Sequence, residues 1–280
     1  DVVAVCVPPR FHAEIALAAL DAGKHVFVEK PLALSLEECD RLVERSARAP
    51  QKAMVGFNLR WHRLLRRARE RIAQGALGPI ELIRTAFTMR PPADVSEWRK
   101  RRETGGGVLA ELAVHHFDLW RYLTGSEVEE VFAASRSGLW EDETAIVTAR
   151  MAGGPLASAI FSERTSNTND VEIYGRDGSL RVSCYRSDSF ELLPAGSTPG
   201  SVRTRLRRLA GTLQGLPRAA LEARQGGGFR STYQAEWRHF LDAILHDGPV
   251  NSTFHDGRCA QQVLLAATAS VLQGRPVKVA

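Results

Sequence analysis

The spacing of apolar and polar positions changes near residue 60, and the change divides the chain into two regions. Asp1-Val2-Val3-Ala4-Val5-Cys6-Val7 is a near-continuous apolar run, the pattern of a strand buried on both faces in a parallel sheet. Pro8-Pro9 follows. The spacing of Phe11, Ile15, Leu17 and Leu20 then predicts a helix over 10–22, with Gly23 as its stop. Residues 25–28 read as a short strand. Ser35-Leu36-Glu37-Glu38 reads as a capping box opening a helix whose Leu36, Cys39, Leu42 and Val43 face inward, and 52–57 as a third strand. Strand–helix–strand–helix–strand with short links predicts a parallel sheet with right-handed crossovers, the second half of a doubly wound α/β domain. Ligands of such sheets sit at the carboxyl ends of the strands, where Val7-Pro8, Glu29-Lys30-Pro31 and Asn58 stand. A strand buried on both faces rarely comes first, and the chain begins without Met, so a further N-terminal part is expected before Asp1.

From Trp61 onward the pattern is different. An Arg-rich helix is predicted over 64–74 and an alternating strand over 80–89. Further strands are predicted over 128–136, 144–151, 156–162, 171–174, 179–184 and 190–193. Strands that follow one another without helices form a mostly antiparallel sheet, and Gly153-Gly154 and Arg176-Asp177-Gly178 suit its hairpins. Residues 196–228 are rich in Gly, Pro and Arg and read as a long loop with a short helix. Amphipathic helices over 233–245 and 258–272 and a strand over 277–279 close the chain. The fold class is α/β: a partial doubly wound domain over 1–60, then an α+β domain with a large, mostly antiparallel open sheet over 61–280. An open sheet face needs covering, which predicts a homodimer or homotetramer.

Composition narrows the function class. The chain has 280 residues, 44% apolar and 25% charged, as in globular proteins. No apolar run approaches the roughly 18 residues of a membrane helix. The four cysteines lack metal-site spacing, and three lie in apolar periodic runs, so buried thiols in a reducing cytoplasm are expected and no metal. Residues 201–230 hold seven arginines (203, 205, 207, 208, 218, 224, 230) against Glu222, more than the whole net excess of +5. The rest is close to neutral. Without interleaved aromatics the segment reads as a solvated loop or a rim attracting an anionic substrate, not as a nucleic-acid surface.

The stretch with most chemistry runs from Gly105 to Tyr122. It reads as a glycine turn opening a helix, with Glu111, His115, Asp118 and Tyr122 on one stripe and Leu109, Leu112, Leu119, Trp120 and Leu123 opposite. Glu111 and His115, one turn apart, can touch and so make an oriented general base; the same pattern also suits a surface helix. His116 falls on the apolar side and reads as packed. Lys30, at the end of a strand, can project into the crevice and steady a developing alkoxide. Asp118 suits either a substrate contact or a structural network, and Trp98-Arg99 either a pocket wall or a core Trp beside a surface Arg.

Three features together resemble the Gfo/Idh/MocA oxidoreductase family: Val7-Pro8-x-x-x-His12 leading to Glu29-Lys30-Pro31, Gly56-Phe57-Asn58-x-Arg60, and Gly105-Gly106-Gly107 placed before Glu111, His115 and Asp118. The resemblance extends to the closing Glu236-x-x-x-Phe240 and Asp256-Gly257 patterns. It implies a Rossmann domain binding NAD or NADP, followed by an α/β domain with a large open sheet. The implied activity is hydride transfer between the nicotinamide and a secondary alcohol or ketone of a sugar or polyol. It also implies Lys30 and His115 as catalytic residues with Glu111 beside them. Val7, Pro8, His12, Glu29, Lys30 and Asn58 are implied at the cofactor, and Trp98, Arg99 and Asp118 at the substrate. Glu111 stands where the family has Asp, and its extra methylene shifts the carboxylate by ~1.5 Å. The Gly-x-Gly-x-x-Gly pyrophosphate turn is not in this sequence. Two other readings stay open: a variant that uses NAD transiently during elimination or glycoside cleavage, and a non-catalytic ligand-sensing or assembly module.

Overall fold

The structure is a computed structural model, described here for all residues except 92–93, 187–188, 198–199, 225–227 and 280. Three short strands, β1 (Val2–Val5), β2 (His25–Val28) and β3 (Ala53–Val55), pair in parallel in the order β1-β2-β3. They alternate with α1 (His12–Asp21) and α2 (Leu36–Ala47), as the spacing of apolar positions predicts. The expected capping box is formed: Ser35 Oγ accepts from the Glu38 amide while the Glu38 carboxylate accepts from the Ser35 amide. Helix α3 (Arg63–Ala73) leads to the second sheet.

That sheet has eight strands: β4 (Ile80–Thr88), β5 (Val128–Arg136), β6 (Thr144–Met151), β7 (Leu156–Ser162), β8 (Thr168–Gly175), β9 (Gly178–Ser183), β10 (Phe190–Pro194) and β11 (Val277–Lys278). Their order is β10-β9-β8-β4-β7-β6-β5-β11. Every pair is antiparallel except β4 with β7. One face carries Ile83, Val131, Val147, Ala157, Phe161, Val171 and Ile173 into a core completed by Leu109, Leu112, Leu119, Trp120 and Leu123. The five apolar positions expected to face inward on the central helix are therefore buried. The other face leaves Leu82, Phe132, Ile146, Leu156 and Ile160 exposed.

The central helix α4 (Val114–Thr124) is preceded by a single π-type turn over Leu109–Ala113. Two closing helices, α6 (Gly228–Leu245) and α7 (Phe254–Gln273), pack back onto the first sheet. Phe27 of β2 stacks on Trp237 of α6 at 4.5 Å between ring centroids, and α7 also packs against β5. Of the cysteines, Cys39, Cys184 and Cys259 are buried and Cys6 is exposed, all as free thiols.

The sequence reading fails over 196–228. Residues Val202–Arg224 form one helix, α5, with Pro217 inside it. Val202, Leu206, Leu209, Leu213 and Leu216 recur every three to four positions, a helical period that outweighs the local glycines and proline. The side chains of Arg203, Arg207, Arg208, Arg218 and Glu222 lie outside the described residues, so the expectation for the arginine cluster does too.

Candidate active site

Two turns converge where the two sheets meet. The first leaves β2 as Glu29-Lys30-Pro31, with a cis peptide before Pro31. Glu29 Oε2 accepts from the Lys30 amide at 3.3 Å. His12, expected at the cofactor, is buried, with its two ring nitrogens facing the carbonyl oxygens of Pro31 and Val7 at 2.8 Å. It ties the end of β1 to the turn after β2 and has no ring nitrogen left for a ligand. Val7 is exposed, Pro8 and Glu29 are half-buried and Asn58 is buried. All four remain at the carboxyl edge of the parallel strands.

The second turn is the glycine run. A Cβ on Gly106 would collide with the Arg99 carbonyl, and the Gly107 amide donates to that same oxygen at 3.1 Å. Gly105 takes φ +88, and a Cβ there would come within 2.9 Å of Pro9. The glycines thus press the Arg99 backbone against the start of the central helix and dock that unit on the first sheet. Trp98 is half-buried, and its carbonyl accepts from Thr104 Oγ1 at 2.6 Å.

The charged side chains form a chain of alternating sign. Lys30 Nζ donates to the Glu111 carbonyl at 2.9 Å and stands 3.7 Å from Glu111 Oε2. Arg99 Nη2 lies 3.2 Å from that oxygen and donates to Glu163 Oε1 at 2.7 Å. Glu163, directly after β7, is almost fully buried. Burial raises its pKa against the pull of Arg99, with Glu111 raising it further and Lys30 lowering it. One electrostatic neighbourhood therefore holds all four groups. No spacing in the sequence marks Glu163, because its partner lies 64 positions away.

His115 enters at the second residue of α4. Phe57 and Phe87 flank its ring, each with its centroid 6.4 Å away, and its Nδ1 is buried without a hydrogen-bond partner. Its pKa lies well below the usual imidazole range, first because of burial, then the Lys30 ammonium, then His116. At neutral pH it is therefore an uncharged base. The expected Glu111–His115 contact is not formed. The π-type turn carries an extra residue and rotates Glu111 away from the ideal stripe, and Lys30 and Arg99 hold its carboxylate.

Of the two roles open to Asp118, the geometry shows the network. It is 1% exposed and accepts two bonds from Arg60, Nε at 2.8 Å and Nη2 at 2.5 Å. Arg60 further donates to the Asn251 carbonyl at 2.5 Å and lies 3.0 Å from Asp256. These contacts tie the end of the first sheet to α4 and α7. His116 is fully buried between Phe87 and Phe161, packed as its side of the helix predicts. Burial pushes its pKa down to about 3.

Residues 1–57 match the oxidoreductase family with an NAD-binding Rossmann fold, and residues 65–181 match the GFO/IDH/MocA C-terminal domain. The chain is 30% identical to myo-inositol 2-dehydrogenase of Thermotoga maritima, over 99% of this chain and 79% of that protein. The chain belongs to the Gfo/Idh/MocA family. Another relative in the family is levoglucosan dehydrogenase of Pseudarthrobacter phenanthrenivorans, 30% identical over 91% of this chain and 74% of that protein. Among solved structures, levoglucosan dehydrogenase in complex with NADH and levoglucosan superposes with a TM-score of 0.81 at 26% identity, covering 99% of this chain and 80% of that one. A probable dehydrogenase from Thermotoga maritima gives 0.77 at 26% identity, covering 100% and 80%. As a Gfo/Idh/MocA member the chain is an NAD(P)-dependent dehydrogenase acting on CH–OH groups. Its residues fit the nicotinamide end of a dinucleotide. Val7 is open at the carboxyl edge of the parallel strands, and the Lys30–His115 neighbourhood lies beyond that edge.

Proposed function

We propose that the substrate is a sugar, polyol or related hydroxyl compound, oxidised at a secondary alcohol by Lys30 and His115. The observation that carries this reading is the convergence of the two groups, Lys30 from the turn after β2 of the first sheet and His115 from helix α4, which packs on the second sheet. Lys30 Nζ is bonded to the carbonyl of Glu111, four residues before His115, and its charge is the second-largest cause of the low pKa of His115. The names of the relatives, dehydrogenases of myo-inositol and levoglucosan, support the same substrate class.

In this reading the substrate hydroxyl lies between the two side chains. Neutral His115 accepts its proton at the open side of the ring. Lys30 steadies the oxygen as it gains alkoxide character, and the negative oxygen relieves the repulsion between Lys30 and the new imidazolium. Glu111 holds the Lys30 ammonium in place, and Arg99 steadies the Glu111 carboxylate. A bound nicotinamide dinucleotide would supply the hydride acceptor for the carbon bearing that hydroxyl. Base and electrostatic contributions of this type are each worth roughly 10²–10³ in rate. Tested on a panel of neutral polyols and sugars, the protein should accumulate NADH or NADPH, and His115→Ala or Lys30→Met should cut kcat by about 10² or more. Full substrate consumption without net NADH would favour the transient-oxidation chemistry. Activity within threefold of the parent in His115→Ala would remove the imidazole from the mechanism.

The exposed sheet face supports a second copy as partner. Leu82, Phe132 and Leu156 line a groove of about 480 Å³ on that face, beside exposed Ile146 and Ile160. Contiguous exposed apolar side chains mark interfaces, and a homodimer or homotetramer through this sheet would cover Leu82, Phe132, Ile146, Leu156 and Ile160. No described helix is long and apolar enough to cross a membrane. The free thiols support placement in a reducing cytoplasm.

A further inference from the structure

Arg99 and Glu163 take no part in the proton transfer, yet they form the most deeply held ion pair beside it. The Glu163 side chain is 2% exposed and accepts from Arg99 Nη2 at 2.7 Å. The other carboxylate near that nitrogen, Glu111, also answers Lys30. Arg60, beyond Phe57, is committed to Asp118 and Asp256. Each of these three cations is thus already matched by carboxylates of the protein.

A substrate carboxylate would need one of these cations. Arg99 has the chemistry for it: its Nε is buried without a partner, so the guanidinium edge bearing Nε and Nη2 is only half used by the protein. A carboxylate recognised by a guanidinium typically takes two such parallel bonds. For Arg99 to supply them Nη2 must give up one of the two carboxylates it serves, Glu163 at 2.7 Å or Glu111 at 3.2 Å; Glu163 holds it more closely, and leaving Glu163 strands a carboxylate which solvent does not reach. The incoming anion would also stand beside Glu111 and Glu163. A neutral hydroxyl meets neither obstacle, since it can bond at the rim of an ion pair without separating it.

We propose that Glu163 is a specificity-determining residue: by holding Arg99 it reserves the site for uncharged polyols and sugars and rejects sugar acids. The proposal rests on the dehydrogenase reading of the same site. It makes Arg99 a latent carboxylate receptor that loss of one charge exposes.

The test compares D-glucose with D-glucuronate, which differ only in a hydroxymethyl against a carboxylate, in the wild type, Glu163→Gln and Glu163→Asp. The wild type should favour glucose at least tenfold in kcat/KM. Glu163→Gln should shrink that preference at least tenfold, mainly through a lower KM for the acid, and Glu163→Asp should restore it. Adding Arg99→Met to Glu163→Gln should abolish the gain. A purely structural Glu163 would depress both substrates alike, and a ratio unchanged within threefold overturns the proposal. Should Glu163→Gln fail to fold, the wild type still decides, because a wild-type preference for the acid refutes selection by Glu163. If the wild type oxidises no neutral compound at all, the dehydrogenase reading falls by itself. Charge selection is then read by calorimetry, where Glu163→Gln must bind D-glucuronate at least tenfold more tightly than wild type, and equal binding refutes it.

Discussion

Replacing Asp118 by Asn separates a structural tie from a substrate contact. The Asp118 carboxylate is 1% exposed and accepts both a 2.8 Å and a 2.5 Å bond from Arg60, which is itself buried. Burial works against the charge on Arg60, but the Asp118 and Asp256 carboxylates outweigh it and raise the pKa of Arg60 further. Removing one partner of a buried pair typically costs about 3–5 kcal/mol. Here Asp256 remains 3.0 Å from Nη2, and the amide oxygen introduced by Asp118→Asn can keep one bond, so the loss should be smaller, about 2–3 kcal/mol. With a urea dependence of roughly 2–3 kcal/mol per molar, the unfolding midpoint falls by about 1 M. KM for the best polyol should stay within threefold, because the group faces α7 and not the Lys30–His115 neighbourhood. The assays are urea unfolding followed by fluorescence and steady-state kinetics on the same preparation. A midpoint lowered by less than about 0.3 M together with a tenfold higher KM would show that the carboxylate serves the substrate.

Three further outcomes follow from the charges and the open sheet. Because the pKa of His115 is lowered from 6.5, chiefly by burial and then by Lys30, the imidazole stays in its base form as pH falls through 6.5. Alcohol oxidation should lose kcat/KM only below that pH, and Lys30→Met should move the acid limb upward. A wild-type limb at 6.5 or higher contradicts this. Glu236 on α6 is fully buried with both carboxyl oxygens unpartnered, and its pKa is raised from 4.5 to about 9 by burial and then by Glu29. A raised carboxyl binds its proton more tightly in the folded state, so the contribution of Glu236 to stability is fully present below about 4.5 and is lost as pH climbs toward 9. Glu236→Gln should flatten that decline in thermal melts, and parallel slopes for both proteins would exclude Glu236 as its source. Ile146→Lys, on the exposed sheet face, should yield a lighter species in light scattering with an unchanged circular dichroism spectrum; an unaltered mass would place the interface elsewhere.

Much of the fold was legible because its determinants are local. The Ser35–Glu38 box and the alternation through β5 to β9 each bear on their own neighbours, whereas the run ending at Val7, read as a strand buried on both faces, forms the edge strand β1, which buries Val5 and leaves Val2 exposed. The long helix over Val202–Arg224 was misread because Gly200, Gly211, Gly215 and Pro217 obscured a leucine period that was present throughout. Breaker residues argue against a helix only where the apolar spacing is lost as well, and here it was kept.

The site was legible in its parts and not in its pairing. Lys30, Glu111, His115 and Arg99 all stand in the recognisable stretches, and the structure brings these four together. Their assignments to one another were inferred from an ideal helical wheel, which put the Glu111 carboxylate on His115 and Asp118 beside them. Two facts invisible to that wheel reverse the outcome. The π-type turn over Leu109–Ala113 alters the angular position of Glu111, and cations from distant segments, Lys30, Arg99 and Arg60, compete for the acids with full charges where a neutral imidazole offers only a dipole. In a poorly solvated pocket a charge–charge pair outweighs a charge–dipole bond, so any acid on that helix within reach of a cation is taken by it. The imidazole is left without a carboxylate partner to offset the burial and the Lys30 charge that lower its pKa. The proposed general base, His115, is therefore left neutral by what the cations withhold from it.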